Sequence, residues 1–319
     1  MKKLFLILMI SFGQFLLAQY VTVTVATDGT GQFSSIQKAV NSVRDFGPGE
    51  ALIKIKSGTY NEKISIPTSK HKITLQGENQ NNTIITNDDY SGKIDALNEN
   101  MTTFNSYTLL VMADDVKISD LTIQNSSCNK GQAVSLHVEG DRFVARNSKI
   151  LGCQDTVYAA GNHSRQYYEN CFIEGTTDFI FGAATVVFKN CIIKSLANSY
   201  ITAASTAESK NYGFVFFDCQ LIAKEDITKV FLGRPWRPFA KTVFINTEMG
   251  DHIVPEGWNP WKGDKMFQDK EKTTFYAEYV SKGEGANASK RVDWSRQLSK
   301  KELKNYTFEK IFGNWNPTK

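Results

Sequence analysis

Between Asp120 and Asn246 the sequence repeats one short pattern six times: an apolar residue, one spacer, an Asn or Asp, two spacers and a second apolar residue. The polar centres are Asp120, Asn147, Asn170, Asn190, Asp218 and Asn246, at spacings of 27, 23, 20, 28 and 28 residues. Two positions before them stand Ile118, Ala145, Tyr168, Phe188, Phe216 and Phe244. Three positions after them stand Ile123, Ile150, Ile173, Ile193, Leu221 and Met249. A period of about 20–30 residues marks a solenoid, in which each unit buries its apolar face on the next. The flanking segments are β-branched and aromatic and alternate as strands do. Asn and Asp tolerate left-handed backbone, so each centre predicts a sharp bend between two strands. A bend also explains why the inward parity shifts from −2 to +3. Leucine-rich repeats and propellers have regular periods and other signatures. The fold predicted is all-β, one domain: a parallel β-helix whose uneven spacing reflects loops of different length.

Both ends fit that design. Phe33-Ser-Ser-Ile36-Gln-Lys-Ala39-Val40 has helical spacing and predicts a short N-terminal cap over an open sheet end. Strands are expected at 51–56, 64–66 and 72–76. After about Lys262 the chain becomes charged and turn-rich, a C-terminal extension with a helical segment near Ser299–Asn305.

The repeat also turns sequence into geometry. Asp155 lies eight residues after Asn147, and Asp178 eight after Asn170. Equivalent positions on consecutive coils are about 4.8 Å apart, too close for two carboxylates to ionise independently. One proton affinity should rise while the other stays low, a division into acid and base. Gln154 precedes Asp155, and Gln132 lies one coil earlier; both amides are suited to stabilising an oxyanion. Leu232-Gly-Arg234-Pro-Trp236 adds a guanidinium to keep one aspartate ionised and an indole as a sugar platform. Taken singly, such an Asp is a turn former, such a Gln a structural hydrogen bonder, and Arg-Pro-Trp a loop anchor. The register that joins them makes them a candidate site.

The five cysteines, Cys128, Cys153, Cys171, Cys191 and Cys219, include no CxxC pair, and the four histidines lack metal-ligand spacing. No metal site is expected. Cys171, Cys191 and Cys219 each follow a centre by one residue, so neighbours fall within disulfide range. Cys171–Cys191 is the preferred bridge; a column of buried reduced thiols is the alternative.

Met1-Lys2-Lys3, the apolar run from Leu4 and a small residue at Ala18 have the form of a secretory signal peptide over 1–18, leaving 19–319 as the folded domain. Ser11, Gly13 and Gln14 interrupt the run, which is short for a membrane anchor. The expectation is a secreted or periplasmic protein, outside the membrane when mature, and monomeric. The chain has 37 basic and 33 acidic residues, and removing the leader takes two of the former. The remaining balance gives no ground for binding nucleic acid.

Five segments together resemble the pectin methylesterases, carbohydrate esterase family 8: Gly58-Thr-Tyr60-Asn-Glu62, Gln132-Ala-Val-Ser-Leu136, Gln154-Asp155-Thr-Val157-Tyr158, Asp178-Phe-Ile-Phe181-Gly182 and Leu232-Gly-Arg234-Pro-Trp236. All occur in the family's order, and Phe275–Tyr279 and Arg291–Trp294 are similar too. The resemblance implies a right-handed parallel β-helix acting on methyl-esterified homogalacturonan without a cofactor. It implies Asp178 as nucleophile, Asp155 as acid and base, Gln132 and Gln154 as the oxyanion hole, and Arg234 as the group orienting Asp178. Trp236, Tyr158, Phe181 and Thr103 would contact the sugars with Arg234 and Gln132, while Glu62 would be structural. Val157 replaces the family's usual leucine, and Cys153 stands where an aromatic is frequent.

Four rivals are weaker on the residues. A polygalacturonase also pairs aspartates, but inverting hydrolases need carboxyls about 6.5–9.5 Å apart, and its Asn-Thr-Asp and Gly-His-Gly motifs are missing. A pectate lyase requires an acidic calcium cluster that is not found. A β-helical adhesin has no use for the two aspartates and two glutamines together. The absence of a Gly-x-Ser-x-Gly elbow argues against a Ser-His-Asp esterase.

Overall fold

The computed structural model describes residues 21–319; the expected signal peptide, 1–18, lies outside the described residues. Three sheets of 11, 8 and 7 strands, paired in parallel, are wound by one chain into a parallel β-helix. One coil shows the logic. Lys117–Ser119 lies in the first sheet, Thr122–Asn125 in the second and Leu136–Val138 in the third. Phe143–Arg146 then returns to the first sheet and pairs with Lys117–Ser119.

The six repeat centres are the bends between the first and second sheets. All have left-handed backbone, with φ between 46° at Asn147 and 57° at Asp120. The residues at −2 form one in-register column: Ile118, Ala145, Tyr168, Phe188, Phe216, Phe244. Those at +3 form a second: Ile123, Ile150, Ile173, Ile193, Leu221, Met249. Both columns are buried in the same core. In the first, Phe188 and Phe216 stack at 4.5 Å between centroids, and Phe216 and Phe244 at 4.3 Å. Removing the middle ring leaves a hole that backbone ladders on both sides hold open. Phe216→Ala is therefore expected to cost about 3–5 kcal/mol, measurable as a lowered denaturant midpoint with little change in slope. At the end of the aromatic column the next in-register residue is Glu278, a buried carboxylate held by Arg291 at 2.7 and 3.1 Å. These are the acidic and basic residues of the two C-terminal motifs.

The ends are closed as the sequence predicts, with small shifts. Helix α1, Ile36–Ser42, buries Ile36, Ala39 and Val40 against the first coils. Glu62 accepts from Ser35 Oγ at 2.7 Å and from the amides of Ile36 and Gln37 at 2.9 and 3.0 Å. It thereby satisfies donors that the start of a helix leaves free. Helix α2, Lys300–Leu303, starts at a capping box between Ser299 and Glu302. Helix α3, Phe308–Phe312, was not foreseen. Its apolar face joins Val144, Tyr167, Val187, Val215 and Val243 on the outer side of the first sheet.

The cysteine pairing differs from expectation. Cys171 and Cys191 are not bonded; with Cys219 they are buried free thiols, and the disulfide joins Cys128 to Cys153, Cα atoms 5.3 Å apart. Residues stacked on adjacent parallel strands point the same way, so their Cβ–Sγ bonds run side by side instead of converging. Each thiol instead lies on two carbonyls: Cys171 on Ala145 and Glu169, Cys191 on Tyr168 and Lys189, Cys219 on Phe188 and Phe217, all at 3.4–3.5 Å. The alternative, a thiol column, is what forms.

Candidate active site

The turns from the second sheet to the third carry Thr103, Gln132, Gln154, Asp155 and Asp178, while Tyr158 and Phe181 stand on third-sheet strands and Arg234 and Trp236 follow one. Asp155 and Asp178 occupy matching places in consecutive turns, because Val157 pairs with Ile180 and Tyr158 with Phe181 just beyond them. Both have left-handed backbone, φ 67° and 49°. Their amides donate to the next coil, Asp155 N–H to Thr177 O at 3.1 Å and Asp178 N–H to Tyr200 O at 2.8 Å. A residue type that accepts this backbone is thus needed twice, and aspartate is one.

The cleft above the third sheet has a cavity volume of about 340 Å³, within the range of small-ligand sites. It brings together Gln132, Gln154, Asp155, Asp178, Arg234, Trp236, Phe181 and Thr103 from the sequence reading. Tyr158 lies beside it, its ring stacked on Phe181 at 4.5 Å. Arg234 grips Asp178 with two parallel hydrogen bonds, Nε to Oδ1 at 3.0 Å and Nη2 to Oδ2 at 2.6 Å. Such a fork is stronger and more directional than a single bond.

The two carboxyls are only 7% and 6% exposed and differ in partners. Burial pushes Asp155 up to about 8, with the charge of Asp178 adding to the effect. Burial also raises Asp178, against the expectation that one group stays low, but the Arg234 bonds and charge pull it back. Asp155 has no comparable fork. The division therefore comes from a cation on one side, more than from mutual repulsion.

Four contributors were not read from the sequence. Trp261 and Phe104 line the cleft, and the Arg234 guanidinium is flanked by rings of Trp261 at 3.6 Å and Tyr200 at 4.0 Å. Lys270, 1% exposed, bonds Asp264 at 2.6 Å and lies 4.5 Å from the centre of the Trp261 ring. Phe104 adjoins Thr103, and Trp261 belongs to an aromatic-rich segment, yet neither stands at a fixed distance from a repeat centre. Among the described residues no group of three or more His, Cys, Asp or Glu converges as a metal site.

A family profile described as Pectinesterase matches residues 22–314. A pectinesterase/pectinesterase inhibitor of Brassica campestris is 36% identical over 309 residues, covering 92% of this chain and 52% of that protein. The chain thus spans about half the length of that relative. The solved structure of a carrot pectin methylesterase superposes with a TM-score of 0.85 at 32% identity, over 93% of this chain and 95% of the other. A pectin methylesterase solved in complex with a hexasaccharide gives 0.81 at 30% identity, over 93% and 98%.

Proposed function

The chain belongs to the pectinesterase family, and from that premise we propose that it hydrolyses galacturonate methyl esters of pectin to free carboxylates and methanol. One observation carries the mechanism: of two buried carboxyls in register, one is gripped by an arginine fork and the other is driven up to about 8. At neutral pH Asp178 is the available anion and Asp155 the available acid.

Asp178 attacks the ester carbonyl carbon, and the bond to the methoxy oxygen breaks. Asp155 gives its proton to that oxygen, releasing methanol and leaving an anhydride between Asp178 and the galacturonoyl group. The amide N–H groups of Gln132 and Gln154 donate to the carbonyl oxygen as it gains negative charge. Asp155, now ionised, takes a proton from water whose oxygen adds to the acyl carbon. Expulsion of Asp178 completes the cycle. Arg234 aims the nucleophile and limits its proton affinity.

The aromatic wall of Trp236, Phe181, Tyr158 and Trp261 is a stacking surface for successive sugar rings, with Thr103 at its rim. The hexasaccharide-bound relative supports an oligomeric pectin substrate for this chain. No helix of the described residues is long and apolar enough to cross a membrane. Export through the leader over 1–18, a mature domain from residue 19 and action as a monomer complete the proposal.

Highly methylated homogalacturonan incubated with the protein is expected to release methanol at constant chain length. Chain shortening without methanol would move the protein to the hydrolases or lyases.

A further inference from the structure

We propose that the Cys128–Cys153 disulfide positions the two oxyanion-hole glutamines, so that its reduction slows the chemical step while the coil stays folded. The inference rests on the roles given above to Gln132 and Gln154.

The disulfide joins two consecutive turns from the second sheet to the third, and each of those turns carries one glutamine. Cys153 immediately precedes Gln154, and Cys128 lies four residues before Gln132. The two turns are unequal. Ten residues separate Asn125 from Leu136, against five between Leu151 and Val157. Gln132 therefore follows an excursion that sheet pairing does not hold.

The excursion is anchored at its start, where Ser126 N–H donates to Asn87 O at 2.9 Å and Asn125 Nδ2 to Ser106 O at 3.0 Å. It is anchored again past Gln132, where Ala133 N–H donates to Gln154 O at 3.1 Å. Between these points the amides of Asn129, Lys130, Gly131 and Gln132 donate to no acceptor among the described residues. Asn129 and Lys130 are exposed. Within it the Gln132 carbonyl accepts from Ser91 N–H at 2.8 Å, and the covalent bond ties the residue just before the stretch, Cys128, to the neighbouring turn. Its other end is fixed: Cys153 is buried, and its carbonyl accepts from Thr176 N–H at 2.9 Å and Thr156 Oγ1 at 3.1 Å. One bond thus references the Gln132 turn to the base of the Gln154–Asp155 turn.

Cys128 is exposed, so a thiol reagent reaches the bond from solvent, while Cys171, Cys191 and Cys219 are at most 2% exposed. A dithiol such as dithiothreitol would attack one sulfur as thiolate, forming a mixed disulfide and freeing one cysteine. Its second thiol then closes the reagent's own ring and frees the other, moving two electrons from reagent to protein. An oxyanion donor acts in the transition state, so loosening it lowers kcat and leaves KM in place.

The test measures methanol release by the oxidised protein, by the same sample reduced with dithiothreitol, and by Cys128→Ser/Cys153→Ser, with alkylation and mass mapping to count thiols. Far-ultraviolet circular dichroism follows the fold. Reduction is expected to lower kcat about tenfold, less than the 10²–10³ lost on deleting a donor, with KM unchanged and restoration on reoxidation. The double variant should match the reduced protein and ignore the reagent. Full reduction with unchanged kcat would overturn the proposal, as would loss of activity together with the β signal, which would make the bond a fold staple. An oxidised protein that releases no methanol would refute the esterase reading itself, and this role with it.

Discussion

Asp178→Asn is expected to lower kcat for methanol release by at least about 10⁴-fold, the scale of losing a nucleophile, while leaving the fold in place. Asparagine is the informative replacement because the backbone at 178 is left-handed, φ 49°. Alanine there would add backbone strain of roughly 1–2 kcal/mol to the chemical defect. An amide also keeps the size of the side chain beneath Arg234, whose guanidinium stays flanked by Tyr200 and Trp261. The check is steady-state kinetics beside a thermal melt. A variant that keeps a tenth of its activity would remove Asp178 from the covalent step.

Asp155→Asn is the second large effect, and it acts on rate and stability in opposite directions. Losing the proton donor for methanol and the base for water is expected to cost about 10²–10⁴-fold in kcat. The alkaline limb of the wild-type profile, expected near pH 8 as Asp155 loses its proton, should vanish from the residual activity. For stability, the folded protein holds this proton more tightly than the unfolded chain does. The contribution of Asp155 is therefore fully present below its unfolded value, about 3.9, and is lost as pH rises through about 8. Asn carries no such loss. The variant should match wild type near pH 4 and exceed it by on the order of 2–5 kcal/mol at pH 9. Melting temperatures across that range provide the check, and a variant equally stable at both ends would contradict the buried, raised carboxyl. Functional sites that store instability in this way are common.

Much of this was legible because a solenoid converts sequence distance into position. Once Asn147 and Asn170 are recognised as equivalent bends, Asp155 and Asp178 must face the same cleft on neighbouring coils, as their register places them. The aromatic column from Tyr168 to Phe244 followed from the same rule. Register fixes Cα atoms better than side-chain directions. It placed Cys171 beside Cys191 correctly and misjudged their bonding, because stacked side chains run parallel and their thiols find carbonyls.

What the repeat does not index stayed out of reach. Cys128 sits in a ten-residue turn, so its proximity to Cys153 has no counterpart in the spacing of centres. Trp261 and Lys270 belong to a long connection after the last repeat, and only the folded chain brings Trp261 onto Arg234 and Lys270 onto Trp261. The proton affinities were half legible. Pairing of carboxylates was visible, but burial raises both groups, and the asymmetry depends on the Arg234 fork.

The central claim is that Asp178 carries the acyl group between methanol release and water attack. Rapid acid quench of the protein turning over a methylated oligogalacturonide, followed by peptide mass analysis, tests it directly. The peptide containing Asp178 should transiently gain the mass of the galacturonoyl chain, in step with early methanol, and Asp178→Asn should show no adduct. An adduct on another residue, or methanol and free acid rising together with the Asp178 peptide unmodified throughout, would contradict it.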